Sequence, residues 1–191
     1  MTLRKNYPYA LRAMVVGTMA DLATFATLLS KLLKPMHQII NNIHSYNRYL
    51  ILVALVFVLY RSWTGWKGNK PFEKSDNTAS VALLGLAHLQ LLLGLIQYFG
   101  TSTIVQSAMA DMGTAMKTPW LRYFAVEHLM MMILGIACIQ VGRTLSKKAT
   151  DDNSKHRKLA IWTSAATLLI VGGLAMKGLL FSTVAAVNGG M

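Results

Sequence analysis

Four apolar blocks, each near the length that crosses a bilayer as a helix, alternate with short polar or charged stretches along this chain. The pattern predicts a first helix over residues 44–63. Its uninterrupted apolar core, Tyr49 to Tyr60, has twelve residues, roughly 18 Å of helix. To span, that helix must include His44 and Arg48 at one end and Arg61 to Trp63 at the other, where arginines snorkel to the headgroups. Tyr46, Tyr49, Tyr60, Trp63 and Trp66 stand where the aromatic belts of both interfaces belong.

The second helix is predicted over 80–99, with His88 and Gln90 near its centre, and residues 100–119 read as a weakly charged loop. The third covers 120–141 and carries Glu127, His128 and Met130 to Met132. The fourth covers 159–181, where Gly172, Gly173 and Ala175 allow close helix approach. Residues 185–191 read as a frayed tail. The predicted fold class is all-α: an integral membrane four-helix bundle within residues 36–185, plus an N-terminal amphipathic helix.

That N-terminal segment, 1–35, is apolar but interrupted by Arg12, Asp21 and Lys31, charges that an interfacial helix tolerates better than a spanning one. Its basic start followed by Ala13 to Ala20 also has features of a signal peptide. A start of translation at Met36, which would leave the segment outside the natural protein, is the third reading.

Composition agrees with a membrane assignment. Of 191 residues 54% are hydrophobic and 14% charged, against about 25% charged in soluble domains. The net charge of +12 sits mainly in two loops and comes with no nucleic-acid motif, so nucleic acid is excluded as a partner. The lone Cys138 reads as a small buried hydrophobe. No P-loop, dinucleotide fingerprint, H-E-x-x-H or G-x-S-x-G is present, which argues against an independent enzyme.

Loop charge sets the orientation. Residues 61–79 carry four bases and 143–158 carry six, against Lys117 alone in 100–119. The positive-inside rule puts loops 64–79 and 144–158 in the cytoplasm.

Five polar residues in or near the spans carry the functional argument: His44, His88, Gln90, Glu127 and His128. Ionisable groups there are costly and mark function, or else serve as hydrogen bonds between helices. His88 and His128 fall at similar depth on antiparallel helices, roughly 16 and 12 Å below the outer boundary. This is the placement that a bis-histidine haem iron needs. His44 and Arg48, nearer the outer end, are placed to meet a haem propionate or a quinone head group. Glu127 and Gln90 are candidates to orient a histidine or to take up a proton. His156, between Lys155 and Arg157, reads as a solvated loop residue.

The residues His44-Ser45 with Arg48-Tyr49, His88-Leu89-Gln90 with Gly94, and Glu127-His128 with Met131 resemble a family of small bacterial four-helix membrane proteins often labelled cytochrome b-like. The resemblance covers about 36–181, and members often begin near the position of Met36. More distantly the chain is similar to cytochrome b561-type bundles and haem A synthase. Because its fourth helix lacks histidine, the resemblance implies at most one bis-histidine site. It implies haem b without identifying a reaction; the expected setting is a quinone-linked electron-transfer chain of the bacterial inner membrane, with a redox partner protein and a homo- or hetero-oligomer.

Three readings follow. The first is a cytochrome b-like carrier with His88 and His128 as axial ligands. The second is a non-haem structural or binding subunit of a larger complex. The third is a small transporter or a proton or metal relay.

Overall fold

The computed structural model describes residues 7–180; the predicted tail 185–191 and the predicted helix end at Phe181 lie outside them. Among the described residues every regular element is helical: α1 (Tyr7–Lys67), α2 (Lys74–Ile96), a π-helical turn (Gln97–Thr101), α3 (Thr103–Ala110), α4 (Met112–Lys117), α5 (Pro119–Arg122), a second π-helical turn (Tyr123–Glu127), α6 (His128–Lys147) and α7 (Asp152–Ala175). The chain divides into two compact units, Met1–Ile39 and Ile40–Met191. In the first, helical from Tyr7, both the charges Asp21 and Lys31 and the apolar Met19, Leu22 and Phe25 are exposed.

Four helical stretches are long and apolar enough to cross a membrane: Pro35–Lys67, Lys74–Thr101, Pro119–Lys147 and Asp152–Ala175. Only 22% of the most apolar part of the second and of the third is buried in the protein. Val53, Val56, Leu92 and Leu168 are 58–77% exposed. Water would penalise such surface heavily, whereas lipid satisfies it. The chain is therefore an all-α, multi-pass membrane bundle.

The spans run further than the apolar pattern suggests. The region read as loop 100–119 contains α3 and α4, and the basic loops shrink because Arg143 to Lys147 and Asp152 to Lys158 are helical. N-terminal caps set two of these limits. Asp151 accepts a hydrogen bond from Ser154 N at 2.7 Å before α7. Glu73 and Asp76 form a capping box at the start of α2.

Consecutive spans are antiparallel. Asn47 meets Gln90 while Arg61, further along α1, meets Asp76 at the start of α2. On α6 and α7, Gly135 lies against Ile170 and Gly142 against Trp162. A Cβ on Gly142 would come 2.6 Å from Trp162 Cβ, and one on Gly135 2.7 Å from Ile170 Cγ1, so both glycines are what let these helices approach. Gly173 also faces α6, against Met131, whereas a Cβ on Gly172 would meet nothing within 4 Å.

Each span buries a seam of near-heptad spacing. On α1 it passes through Ile51, Leu55, Val58, Ser62 and Gly65; on α2 through Asp76, Ser80, Leu83 and Ala87; on α6 through Gly135, Ile139, Gly142 and Ser146; on α7 through His156, Thr163 and Ile170. His156 thus corrects the loop reading. It is 1% exposed and packs against Gly65 and Phe72, with Nε2 3.4 Å from Pro71 O. This contact, with Asn153 Nδ2 donating to Trp66 O at 3.0 Å, brings the two basic connections to one end of the bundle.

Candidate functional site

The seams place the intramembrane polar groups on different faces. His44 lies seven residues before Ile51, and Arg48 seven before Leu55, so both point inward on α1. His128 lies seven before Gly135 and joins the seam of α6. Gln90 follows Ala87 by one helical step of three and stays inside. His88 is one residue past Ala87, about 100° round the helix, and is exposed.

A cavity of about 160 Å³ opens among α1, α2, α3, α6 and α7. His44, Arg48, Gln90, Gly94 and His128 line it together with Phe124, Met132 and Ile170. His88 does not. The structure does not bring the predicted pair together at this cavity: His128 shares the chamber with His44, and His88 faces outward. Similar depth on two helices does not determine which way a side chain faces.

Two amides fix the α1–α2 wall. Asn47 Nδ2 donates to Gln90 Oε1 at 2.8 Å and to Leu86 O at 3.0 Å. Gln90 Nε2 donates to His44 O at 3.0 Å. Gln90 is thus a bracket that holds the backbone of His44. Beside it Gly94 opens a niche for the ring: a Cβ there would stand 3.4 Å from His44 Cε1. His44 Nδ1 is buried and has no hydrogen-bond partner among the described residues.

His128 is held differently. Tyr123, fully buried, donates its hydroxyl proton to Gly173 O at 2.7 Å. That hydroxyl lies 3.4 Å from His128 Nδ1. With its one proton given to the carbonyl, the hydroxyl is left as an acceptor toward His128, which favours the tautomer with hydrogen on Nδ1 and the lone pair on Nε2. Orientation by the second ring nitrogen is the usual arrangement at a ligating histidine. An α-helical spacing of five would put Tyr123 about 140° from His128. The π-helical turn closes this gap, and His128 N accordingly bonds Tyr123 O.

The other π-helical turn, Gln97–Thr101, borders the same cavity through Gln97 and Tyr98. Tyr98 Oη donates to Ala125 O at 2.8 Å and ties the two turns together. Glu127 does not reach His128's ring: it pairs with Arg122 at 2.6 Å and stays off the cavity wall. Arg48 lies on the wall, its guanidinium 4.8 Å from the Tyr49 ring centre and donating to Tyr49 Oη at 3.0 Å. No cluster of three or more His, Cys, Asp or Glu side chains suited to a metal ion occurs among the described residues.

Tyr123, Asn47 and the π-helical turns were not legible as parts of the site. An i, i+5 contact is invisible to a 3.6-residue period, and Asn47 precedes the apolar core of its span, where an uncharged polar residue is ordinary. No protein-family model, curated protein or solved structure matches the chain.

Proposed function

We propose that the protein is a membrane-embedded, cytochrome b-like electron carrier that holds one haem b between His44 and His128 and exchanges electrons with a quinone pool and a partner protein. The observation that carries this reading is the arrangement of the two imidazoles. They line one largely apolar cavity from different helices, His128 with its Nε2 lone pair left available by Tyr123 and His44 with Nδ1 unpartnered. Two such nitrogens suit the two axial positions of a low-spin haem iron. Gly94 supplies the niche beside the His44 ring, and Arg48 supplies a cation for an acidic substituent. Haem, when bound, supplies reversible one-electron chemistry; the chain's residues hold it, orient its ligands and exclude water.

Space argues for a second reading. A cavity of about 160 Å³ is close to the ~150 Å³ that takes one benzene and below the roughly 300 Å³ at which sites for drug-sized ligands begin. Haem binding therefore requires the walls to part, whereas a single-ring quinone head group needs no such change. Its reduced form would donate an O–H to His128 Nε2.

The visible spectrum of protein purified from haem-replete cells and reduced with dithionite tests the first reading, which expects sharp low-spin b-type bands. Folded protein that carries no haem but co-purifies with stoichiometric quinone would transfer the site to the second. Folded protein with neither would refute both.

A further inference from the structure

We propose that the end of the bundle formed by the two basic connections is a binding surface for the phosphate headgroups of anionic phospholipids. This inference is independent of the haem reading. Bases from all four spans gather there: Lys67 at the end of α1, Lys74 at the start of α2, Lys147 and Lys148 at the end of α6, and Arg157 and Lys158 in α7. The hydrogen bonds of Asn153 to Trp66 O and of Arg143 to Asn77 Oδ1 (2.7 Å) hold these helix ends at one level.

The carboxylates of this end are already engaged. Glu73 and Asp76 both pair with Arg61, at 2.8 and 2.6 Å, and Asp152 pairs with Lys155 at 2.8 Å. Asp151 caps α7. None of the six bases named above forms an ion pair among the described residues, so the surplus positive charge is left for a partner outside the chain.

Two features choose a lipid over a soluble anion. Trp63 and Trp66 pack at 5.1 Å, with Lys67 Nζ 4.8 Å from the Trp66 ring centre and 5.9 Å from that of Trp63. Tryptophans of this kind sit at the headgroup level, which puts Lys67 among the phosphates. Directly on the membrane side lie exposed apolar side chains, Tyr60 on α1 at 67% and Ile161, one turn after Lys158, at 49%. An anionic headgroup on the bases would lay its acyl chains on these residues.

The test compares thermal unfolding of the whole protein in nanodiscs of phosphatidylcholine and in discs that also contain phosphatidylglycerol. The proposal expects a higher midpoint with phosphatidylglycerol and collapse of the difference in high salt. It also expects the difference to shrink in a Lys67→Gln, Lys147→Gln, Lys148→Gln, Lys158→Gln variant whose midpoint in phosphatidylcholine is unchanged. If that variant does not fold, the pair Lys147→Gln, Lys148→Gln and the salt titration of the wild type carry the test. Equal midpoints in the two discs, an undiminished difference in the folded variant, or full reproduction of the effect by inorganic phosphate would each overturn the proposal.

Discussion

Tyr123 Oη stands 3.4 Å from His128 Nδ1 while donating to Gly173 O at 2.7 Å, so one buried hydroxyl couples the start of α6 to the end of α7 and favours one tautomer of the histidine. Tyr123→Phe removes the acceptor for His128 and the donor for Gly173 together. The expected cost is about 1–3 kcal/mol, the penalty for leaving buried polar groups unpaired. Thermal unfolding in one detergent checks the stability. Unlike a merely structural residue, Tyr123 should also shift the midpoint potential of the haem proposed here when changed to Phe, because the histidine loses its orienting partner.

Arg61 and Asp76 make the shortest ionic contact among the described residues of the basic end. Arg61 Nε meets Asp76 Oδ1 at 2.6 Å, and the Asp76 side chain is 3% exposed. Asp76 Oδ2 also accepts from Glu73 N at 2.9 Å within the capping box. Asp76→Ala removes one of the two carboxylates that hold the Arg61 guanidinium, leaving Glu73, and opens one half of the capping box of α2. We expect a loss of about 1.5–3 kcal/mol, the range for a hydrogen bond to a charged group, because the Arg61 side chain is 32% exposed and keeps Glu73 as a partner. Unfolding of Arg61→Leu/Asp76→Leu should recover part of that loss.

Gly142 and Gly172 make a matched comparison. A methyl group on Gly142 collides with Trp162, whereas on Gly172 it meets nothing. Gly142→Ala should destabilise by about 1–3 kcal/mol through overpacking. Gly172→Ala should be neutral or stabilise by up to about 1 kcal/mol through helix propensity. Midpoints measured side by side distinguish them, and equal losses would mean that α6 and α7 are not packed through Gly142.

Asp151, at the exposed start of α7, predicts a pH dependence. The Ser154 backbone N–H, with the Ser154 side chain, holds its carboxyl below the ordinary value of 3.8. The folded state therefore favours the ionised form. The cap's contribution is complete above the unfolded value and disappears as pH falls through the lowered folded one. The stability gap between wild type and Asp151→Ala should accordingly be constant near neutrality and close below about pH 3.8. A gap independent of pH throughout that range would remove the carboxylate from the cap.

The number of spans and their antiparallel order were legible because apolar runs of bilayer length are a strong signal, and loop charge singled out the two connections that meet at one end. Which way each polar group faces was less accessible, although the information was there. Extending the spacing of Ile51, Val58 and Gly65 backward reaches His44, and Thr163 and Ile170 lead back to His156, despite the charges around it. The same spacing leaves His88 outside the seam of Leu83, Ala87 and Gln90. In a lipid-exposed helix both faces are apolar, so hydrophobicity alone does not mark the seam, and depth alone does not tell which histidine faces the cavity. The π-helical turns were beyond reach, because no residue between Tyr123 and Glu127 departs from an ordinary helical sequence.

The central claim is the pairing of His44 with His128 across one cavity. Its most direct measurement is the haem content of three purified variants, His44→Ala, His128→Ala and His88→Ala, each normalised to folded protein and read from the reduced visible spectrum. The account predicts that His44→Ala and His128→Ala lose the low-spin bands while His88→Ala keeps them at the wild-type level. Loss of haem in His88→Ala with retention in His44→Ala would contradict it.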